Sequence, residues 1–509
     1  MARLRVLGAA LLCLAFAASA GEMPPEEGVS VTIYNAARVP AGQGRYAPQV
    51  IPGMRPQAEG WAVVKLRTKV NLPAGRGEVR LSDVAAALVP PSVFFKSLTD
   101  PEHTVVLEQN FLYDLADVPA LLRRYVDRPL AALPPKGGGP LAGRLLSSTR
   151  HGLLLDVADS PVPIRLATFR ELRLPELPAG LVTRPTLVWQ VNAQKPGEHL
   201  AEVTYIADNI TWRADYTLLL NDKQDALDLS GWATVENESG ASYPQARLKL
   251  MGGDVQRLDE PWSVKERLSM DSPVSELASR FESLKVRFTE KSFFEYHLYT
   301  LGRPTTLPDR SRKQIELFAP AANVPCRKVL VYVGGRGERP AAQTYPATQR
   351  DLGYPTNAKV DVYLEFKNDE ASHVGMPLPA GRVRVCLNDP ADGAAEFIGE
   401  DEIRHTPKDE KVLVRLGECF DVVGERRQTR FDYRRDLPTL TEAYEIRLRN
   451  HKPEAVTVIV QEKFYRWVNW ELEAHSHDFE KPDAETARFT VAVPAGGQTV
   501  VTYTVRYDW

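Results

Sequence analysis

Apolar residues recur at every second position in one segment of this sequence after another. In the segment 61–70, for example, Leu66 lies between Lys65 and Arg67. Successive side chains of a β-strand point to opposite faces, so a period of two gives one buried face and one wet face. The same alternation returns in Val360/Val362/Leu364/Phe366, Val412/Val414/Leu416, Tyr444/Ile446/Leu448, Val456/Val458/Val460 and Val501/Tyr503/Val505/Tyr507. This pattern predicts a mainly β chain with multiple antiparallel β-sandwich domains.

Two short patterns mark the turns between these strands. Leu-Pro-Ala-Gly or Val-Pro-Ala-Gly precedes a strand at 72–75, 378–381 and 493–496. Proline presets φ in such a turn and glycine closes it. An Asn followed by polar residues stands at a strand end at Asn237, Asn368 and Asn450. Asn tolerates a left-handed φ and its side chain can bond nearby backbone, so each copy predicts a hairpin turn.

Helical patterns are few and short. Asp117 precedes a short amphipathic segment that closes before Pro129, and the residues after it alternate between short strands and turns, which predicts a small SH3-like barrel. A second amphipathic segment near 273–284 predicts a connecting helix. The predicted divisions are a signal peptide at 1–20, an N-terminal β domain at 21–116, a short helix with the small barrel at 117–178, a β-sandwich with the helical connector at 179–345 and a C-terminal β-sandwich region at 346–509.

The first twenty residues have the form of a secretory signal peptide. Arg3 and Arg5 precede an apolar run at 6–18, and small residues lead up to Ala20, after which we expect cleavage. A lipid anchor is not expected, because Leu12 occupies the position before Cys13 where lipoproteins carry a small residue. The sequence therefore predicts an exported protein that is periplasmic or extracellular.

The charge distribution excludes one class of partner. Removing Arg3 and Arg5 changes the balance of 63 basic and 66 acidic residues from −3 to 61 − 66 = −5, with both signs well mixed. A nucleic-acid surface needs a clustered basic excess, so we expect no nucleic-acid partner. After the leader, no apolar stretch is long enough for a transmembrane helix, and we expect no transmembrane segment.

The cysteines of the mature chain are Cys326, Cys386 and Cys419. An oxidising compartment permits a disulfide, and the pair of Cys386 and Cys419 is the one to test first. Because a chain of this length can bury a sufficient core without cross-links, three separate buried thiols are the favoured interpretation.

Two groups of residues could carry chemistry, although no hydrolase, zinc-protease, P-loop or dinucleotide motif occurs. His475 and His477 are two apart, which on a strand would place two imidazoles on one face as part of a metal site. Glu400 and Asp401 precede His405, and carboxylates beside a histidine suit acid–base catalysis or a hard cation such as calcium. In both cases the favoured interpretation is structural, namely exposed histidines and a solvated edge strand, with no cofactor or metal.

Long segments of the chain carry a family resemblance. From about Leu181 to Trp509 the sequence resembles the bacterial domain-of-unknown-function 4139 family, with mucoidy inhibitor A-like relatives. The matching segments are 210–216, 237–240, 293–299, 397–424 and 493–509. The resemblance implies β-sandwich modules in exported proteins and supplies no catalytic residue. Some relatives carry a long coiled coil, from which this chain departs by having only the short segment near 273–284.

Three hypotheses about function follow from these observations. The first is a non-enzymatic binding or scaffold protein of the cell envelope that contacts protein or polysaccharide through sandwich edges and loops. The alternative is an unrecognised hydrolase acting on an envelope polymer, with the segment around His405 as its site. A third is a structural calcium site, which would make thermal stability sensitive to a chelator.

Overall fold

The computed structural model describes residues 27–35, 60–113, 118–135, 139–149, 152–157, 164–176, 181–253, 255, 257, 288–335, 345–350 and 357–509. The predicted signal peptide at 1–20 and the predicted connecting helix near 273–284 lie outside these residues. The helices of the described residues include none that is long and apolar enough to cross a bilayer.

Nearly all of the described chain is β-structure. In order, the elements are β1 (Gly28–Asn35), β2 (Gly60–Leu72), β3 (Gly75–Ser82), β4 (Phe94–Ser97), β5 (Thr104–Leu112), α1 (Val118–Arg124), β6 (Pro129–Leu133), β7 (Leu141–Thr149), β8 (Gly152–Asp156), β9 (Ile164–Ala167), β10 (Glu171–Arg173), β11 (Thr186–Ala193), β12 (Gly197–Asp208), β13 (Ile210–Leu220), β14 (Ala226–Asn237), β15 (Tyr243–Gly252), β16 (Phe288–Phe293), β17 (Tyr296–Leu301), β18 (Thr305–Leu307), β19 (Ser311–Glu316), β20 (Ala321–Tyr332), β21 (Lys359–Lys367), β22 (Gly381–Asn388), β23 (Ala395–Ile403), β24 (Lys411–Arg434), β25 (Thr439–Asn450), β26 (Val456–Lys463), β27 (Trp470–His475), β28 (Phe479–Asp483), β29 (Thr486–Val493) and β30 (Gln498–Asp508). A one-turn 3-10 helix spans Pro90–Ser92. The predicted fold class, mainly β with several sandwich-like sheets and few short helices, is confirmed.

Contacts divide the chain into two compact units. The first comprises Met1–Trp212 and Val235–Lys313, and the second comprises Arg213–Thr234 and Gln314–Trp509. The finer domain boundaries that the sequence predicts stay predictions.

The first unit is organised around an eight-stranded sheet. Its strand order is β16-β17-β15-β1-β2-β12-β4, with β18 also paired to β15, and a separate three-stranded sheet has the order β3-β11-β5. In β2 the alternation predicted from the sequence is observed, because Ala62 and Val64 are fully buried while Lys69 between Thr68 and Val70 faces solvent. Trp189 on β11 is also fully buried, with its ring centroid 5.0 Å from that of Phe95.

A small module within the first unit contains the predicted short helix. Here α1 is followed by a five-stranded antiparallel sheet of order β10-β6-β7-β8-β9. Its core consists of Leu122, Tyr125, Leu130, Ala132, Leu145, Leu153 and Leu155. The buried Tyr125 hydroxyl donates a 2.5 Å hydrogen bond to the carbonyl of Glu176, which ties the helix to the end of the module. Closure of this sheet into the predicted barrel stays a prediction.

The second unit contains a fourteen-stranded sheet that includes one long strand, β24, whose two halves pair with different strands. The main strand order is β23-β22-β13-β14-β20-β21-β24-β25-β30-β27, with β19, β26, β28 and β29 branching from it. Residues 411–423 of β24 pair with β21, and residues 422–434 pair with β25. The C-terminal part closes over a core of Leu330, Tyr332, Val360, Val422, Leu440, Tyr444, Ile446, Leu448, Val458, Val460, Phe464, Phe489, Val491, Val493, Val501, Tyr503, Val505 and Tyr507. The strands predicted from 444–448, 456–460 and 501–507 thus supply this core.

Asn450 forms a buried corner at the end of β25. Its side-chain amide donates to the carbonyls of Glu454 at 2.8 Å and Pro494 at 3.0 Å, and its oxygen accepts the backbone N–H of Lys452 at 3.0 Å. The residue is 1% exposed. One side chain therefore joins the turn after β25 to the turn after β29, which is a second loop distant in sequence.

Asn237 and Asn368 repeat this arrangement. The amide of Asn237 donates to the carbonyl of Pro308 at 3.0 Å, and that of Asn368 donates to the carbonyl of Pro407 at 2.9 Å. In all three corners the residue two after the proline has a left-handed φ: Arg310 at 52°, Asp409 at 69° and Gly496 at 57°. The strand before each Asn then pairs with the strand after each proline, as β14 with β19, β21 with β24 and β25 with β30. The three corners are one structural motif used three times.

Glycine has two different roles in the predicted Pro-Ala-Gly turns. Gly75 and Gly496 adopt left-handed φ values of 66° and 57°, as a turn of this type requires. Gly381 does not, but a Cβ there would lie 2.2 Å from the carbonyl oxygen of Ala214 on the neighbouring strand β13. Glycine at 381 therefore permits close approach of two parallel strands.

Candidate functional site

The predicted acidic segment lies on β23, which pairs with β22. Asp401 accepts the backbone N–H groups of Glu402 at 2.9 Å and of Arg415, on β24, at 2.7 Å. Glu400 is opposite Arg384 on β22, with Nε and Oε2 3.6 Å apart. Because consecutive residues of a strand point to opposite faces, Glu400 and Asp401 do not form a carboxylate pair on one face.

His405 follows β23 and also bonds to backbone. Its Nδ1 accepts the N–H of Ala380 at 3.1 Å, so this nitrogen is occupied as an acceptor. A general base needs its acceptor nitrogen directed at a substrate proton. Glu400, Asp401 and His405 therefore make contacts that hold β23, at the edge of the sheet, and the turn that follows it.

His475 and His477 are positioned by the turn between β27 and β28. His475 Nδ1 donates to the carbonyl of His477 at 2.9 Å, and His477 Nδ1 is 2.8 Å from the Ser476 hydroxyl. Ser476 Oγ in turn accepts the N–H of Thr502 at 2.8 Å. Within the described part of the chain, no group of three His, Cys, Asp or Glu residues has the arrangement of a metal site.

Cys326, Cys386 and Cys419 are free thiols, so Cys386 on β22 and Cys419 on β24 do not form the disulfide considered from the sequence. Burial, assisted by Asp225, raises the pKa of the Cys326 thiol to about 11. A thiolate is the reactive form of cysteine, so Cys326 is poorly suited to nucleophilic chemistry at neutral pH.

A buried charge cluster in the C-terminal sandwich was not predicted from the sequence. We refer to Arg426, Gln428, Glu442, Tyr444, Glu462, Arg466 and Tyr503 as the inner-face charge cluster. Glu442 on β25 and Arg466, after β26, are 2% and 3% exposed and form a bidentate pair, with Nε–Oε2 and Nη2–Oε1 distances of 2.6 and 2.8 Å. Gln428 and Tyr444 each donate to the same Glu442 oxygen at 2.7 Å.

Arg466 also holds a loop segment in place. Its guanidinium donates to the carbonyls of Ala347 at 2.9 Å, Gln349 at 2.6 Å and Arg350 at 2.9 Å. Gln428 adds a fourth contact, to the carbonyl of Arg350 at 3.1 Å. A single buried cation thus satisfies three carbonyls of a segment that belongs to no strand, which fixes the segment against the sandwich.

The second half of the cluster is centred on Glu462 of β26. Its Oε2 accepts Arg426 Nε at 2.8 Å and the Tyr503 hydroxyl, whereas Oε1 is buried without a hydrogen bond from the described residues. The Arg426 guanidinium lies 3.7 Å from the centre of the Tyr444 ring. Burial opposes the charged form of Arg426, but Glu462, Tyr503 and Tyr444 outweigh it and raise the pKa of Arg426.

The arrangement of this cluster suits the stabilisation of the sandwich. Each buried carboxylate faces a buried guanidinium, so the charges compensate and the remaining donors satisfy carbonyl oxygens. A signal for the cluster does exist in the sequence. Glu442 is in phase with the apolar residues of β25, and Glu462 is in phase with Val458 and Val460 of β26, so both carboxylates fall on the face that the alternation assigns to the core.

A second buried polar group lies in the first unit. Ser97 Oγ is 2.9 Å from His199 Nδ1, and His199 Nε2 is 3.0 Å from the Lys195 carbonyl. A carbonyl only accepts, so Nε2 carries the proton and Nδ1 accepts from the Ser97 hydroxyl. Ser97 and His199 are each 2% exposed, and the pair joins β4 to β12. A buried pair of this kind resembles a serine–histidine dyad in geometry but offers no access to a substrate.

Asp100 extends this group toward the surface. A hydrogen bond from His103 Nδ1 at 2.9 Å lowers the pKa of the Asp100 carboxyl, and Lys195 contributes in the same direction. The N–H of Asp100 donates to Ser97 Oγ at 3.1 Å. Asp100 therefore fixes the turn after β4.

Four apolar residues lie near the end of β30 or in the two loops bonded to it, and we call them the tip patch: Tyr433, Leu437, Val468 and Trp509. Leu437 is 55% exposed and Val468 is 65% exposed. The rings of Tyr433 and Trp509 stack with centroids 6.0 Å apart. The backbone orders both loops, because Trp509 N–H donates to the Pro438 carbonyl at 3.1 Å and Asp508 N–H donates to that of Asn469 at 3.3 Å.

A groove of about 270 Å³ lies within the second unit. Its apolar lining consists of Leu220, Val362, Leu364, Leu387, Ile398 and Leu416, together with Gly417, and the polar residues around it are Gln224, Lys328 and Glu418. Two of the most exposed aromatic residues are adjacent in sequence to this lining. Phe397 is 60% exposed beside Ile398, and Phe420 is 95% exposed two residues after Glu418.

Comparison with known proteins places these features within a single match. A family model described as "Domain of unknown function (DUF4139)" matches residues 201–509. No curated protein matches the chain. The matched residues include the three Asn corners, the inner-face charge cluster, the tip patch and the groove, whereas the buried pair of Ser97 and His199 precedes them.

Proposed function

This chain belongs to the DUF4139 family, and from that premise we propose that it is a non-enzymatic binding or scaffold protein of the cell envelope. The proposed contact surface is the tip patch, and the proposed partner is a protein. The observation that carries this proposal is the exposure of Leu437 and Val468 on ordered loops beside the stacked rings of Tyr433 and Trp509. Exposed apolar residues grouped in this way are typical of interaction surfaces.

The energetics favour association at this surface. Fully burying a Leu or Val side chain contributes roughly 1.5–3 kcal/mol. Because backbone hydrogen bonds already hold both loops, little conformational entropy remains to be lost on binding. Leu437 and Val468 have no hydrogen-bonding groups for sugar hydroxyls, which favours a protein partner over a polysaccharide.

The arrangement of the predicted site residues supports a non-enzymatic protein over a hydrolase. Asp401 and His405 both accept backbone N–H groups, and Asp401 uses its two oxygens for this purpose. A hydrolase would need these groups directed at a substrate and a water. The hydrolase alternative is tested by replacing them together.

Site-specific photo-crosslinking tests the proposed contact surface. A photoreactive amino acid at position 437 or 468 is expected to give one discrete adduct of the same partner in intact cells. Val500, which is 38% exposed on β30, provides the matched control position and should not give that adduct. Val468→Asp should abolish the adduct formed at position 437. The proposal is wrong if positions 437, 468 and 500 crosslink alike.

A double variant separates binding from hydrolysis. Asp401→Asn with His405→Gln removes the acid–base groups while keeping polar side chains at both positions. A binding protein should retain its adduct at position 437 and its envelope phenotype in this variant. Loss of the phenotype with the adduct and the melting temperature unchanged would instead favour the hydrolase.

We further propose that the mature protein is exported after cleavage following Ala20. The basic residues, apolar run and small residues of the first twenty positions support this proposal. Mass spectrometry of the protein from fractionated cells should give Gly21 as the N-terminus in the periplasmic or extracellular fraction. Recovery of the full leader in the cytoplasmic fraction would contradict it.

A further inference from the structure

We infer that the groove of the second unit binds the acyl chain of an amphiphile whose single anionic head contacts Lys328. Six strands of the fourteen-stranded sheet supply most of the lining of the groove: β13, β20, β21, β22, β23 and β24. Gln224, between β13 and β14, completes it. This binding site is separate from the tip patch and does not depend on the proposed scaffold function.

The lining favours a hydrocarbon occupant. Six of the residues around the groove have aliphatic side chains. A peptide would bring amide groups into this lining and leave them without partners, which costs free energy, whereas a polymethylene chain has no polar group to satisfy. The volume of about 270 Å³ is just below the range of about 300–1,000 Å³ typical of small-molecule sites and suits one chain of medium length.

The charges around the groove select the head group. Lys328 is exposed and donates to the neutral amide oxygen of Gln224 at 3.1 Å, so an incoming anion would not have to break an ion pair. The carboxylate of Glu418 is already paired with Lys359 at 2.6 Å. Among the described residues Lys328 has no carboxylate partner, whereas Glu418 is paired, so Lys328 is the groove charge that is complementary to a carboxylate or phosphate head.

One exposed phenylalanine follows the lining residues of β24. Phe420 is two residues after Glu418. Phe420 lies where the pairing of β24 with β21 is interrupted by extra residues between Cys419 and Val423. The ring of Phe420 is 95% exposed, so an acyl chain that packs on it removes apolar surface from water, which is favourable.

Three amphiphiles with unbranched tails of nine or ten carbons test both parts of the inference. Decanoate, decanol and decyltrimethylammonium carry an anionic, a neutral and a cationic head, and each is titrated calorimetrically into the full mature protein below its micelle concentration or, for decanol, below its solubility limit. Decanoate should bind most tightly, decanol less tightly and decyltrimethylammonium least. Each step is expected to be about threefold to fivefold, since an exposed charge contact contributes up to about 1 kcal/mol.

Charge reversal at the rim gives the decisive comparison. Lys328→Glu should invert the order, so that decyltrimethylammonium binds more tightly than decanoate. Lys223→Glu makes the same change in net charge one residue away from Gln224, outside the lining, and should leave the order as in the wild type. Because Lys328 is exposed, its replacement does not disturb the core.

A substitution in the lining tests the tail. Ile398→Glu should weaken decanoate and decanol alike by about tenfold or more, since it places a charge beside the chain. The inference is overturned if the wild type binds none of the three, if head charge has no effect, or if Lys223→Glu alters the order as much as Lys328→Glu does. Lys328→Glu should leave the crosslink at position 437 intact, so failure here and failure of the scaffold proposal are distinguishable.

Discussion

The two faces of the C-terminal sheet carry the same kind of ion pair in opposite surroundings. On the inner face, Glu442 and Arg466 are 2.6 Å apart and almost fully buried. On the outer face of the same strands, Glu425 and Arg449 are 3.1 Å apart, with half or nearly half of each side chain exposed. Alternation along β24 and β25 places Glu442 on the inner face and Glu425 and Arg449 on the outer face, whereas Arg466 comes from the segment after β26.

The distance between two charged groups therefore does not by itself determine how much their salt bridge contributes to stability. An exposed pair exchanges contacts with water and contributes little, whereas a buried pair cannot lose one partner without leaving an uncompensated charge. The inner pair is also hydrogen-bonded to other groups, because Arg466 donates to the carbonyls of Ala347, Gln349 and Arg350. The inner face is therefore a connected polar network, and the outer face is a set of independent pairs.

The largest effect is expected when the inner network loses one charge. Glu442→Gln should lower the free energy of unfolding of the C-terminal sandwich by about 3–5 kcal/mol, because Arg466 stays buried without its counter-charge. Native-state hydrogen exchange of the amides in β24, β25 and β30 measures this loss locally. The matched control is Glu445→Gln, which makes the same change one residue after Tyr444, at the outer face. A similar loss in both variants would remove the distinction between the faces.

Removing both inner charges sharpens the same comparison. Glu442→Leu with Arg466→Met should cost less than the sum of the two single replacements, since no unpaired charge remains. A residual loss of about 1–3 kcal/mol is expected, because carbonyls of residues 347–350 lose their donor. Strict additivity would mean that the pair does not act as a unit.

An intermediate effect is expected from alkaline pH. Burial raises the pKa of Tyr503 well above its ordinary value, and Glu462 adds to this shift. A group with a raised folded pKa contributes stability that is present below the unfolded pKa, here 10.0, and is lost as pH rises toward the folded value. Between pH 9 and pH 11 the wild type should therefore lose about 1.4 kcal/mol more than Tyr503→Phe. Urea unfolding at the two pH values measures this difference, and parallel losses would contradict it.

The smallest effect is expected on the outer face. Glu425→Gln should change the free energy of unfolding by less than about 0.5 kcal/mol, and the change should shrink as salt is added. Urea unfolding at low and high ionic strength provides the measurement. A loss comparable to that of Glu442→Gln would show that the exposed pair is coupled to the core.

Much of the strand structure could be predicted because it is encoded locally. The alternation at 444–448 and 501–507 identifies β25 and β30 directly, since one face of each strand meets the core. Turns at the three Asn residues were predictable, and Asn450 does bond to Lys452 and Glu454 nearby. The prediction that these turns are hairpins is wrong, because β14, β21 and β25 do not pair with the strands that follow them, β15, β22 and β26. The contact from Asn450 to Pro494 was not predictable, because it depends on which strands become neighbours in the sheet.

The candidate sites were harder to predict for the same reason. Chemistry-bearing residues such as Asp401 and His405 are close in sequence, yet the fold uses them separately for backbone contacts. Conversely, Glu442 and Arg466 meet across 24 residues of sequence, which no local motif reports. The local signals were two carboxylates, Glu442 on β25 and Glu462 on β26, at positions that the alternation assigns to the core.

The bonds of the three Asn corners do not depend on how many residues separate the Asn from its proline. The intervals from Asn to proline are 39, 44 and 71 residues, while the bonds that end them are nearly the same. Closing a flexible interval of 71 rather than 39 residues costs only about 0.5 kcal/mol of additional entropy. Extra sequence can therefore be accommodated between an Asn and its proline without changing either end, and evolution can add to the interior of a module while its corner stays constant.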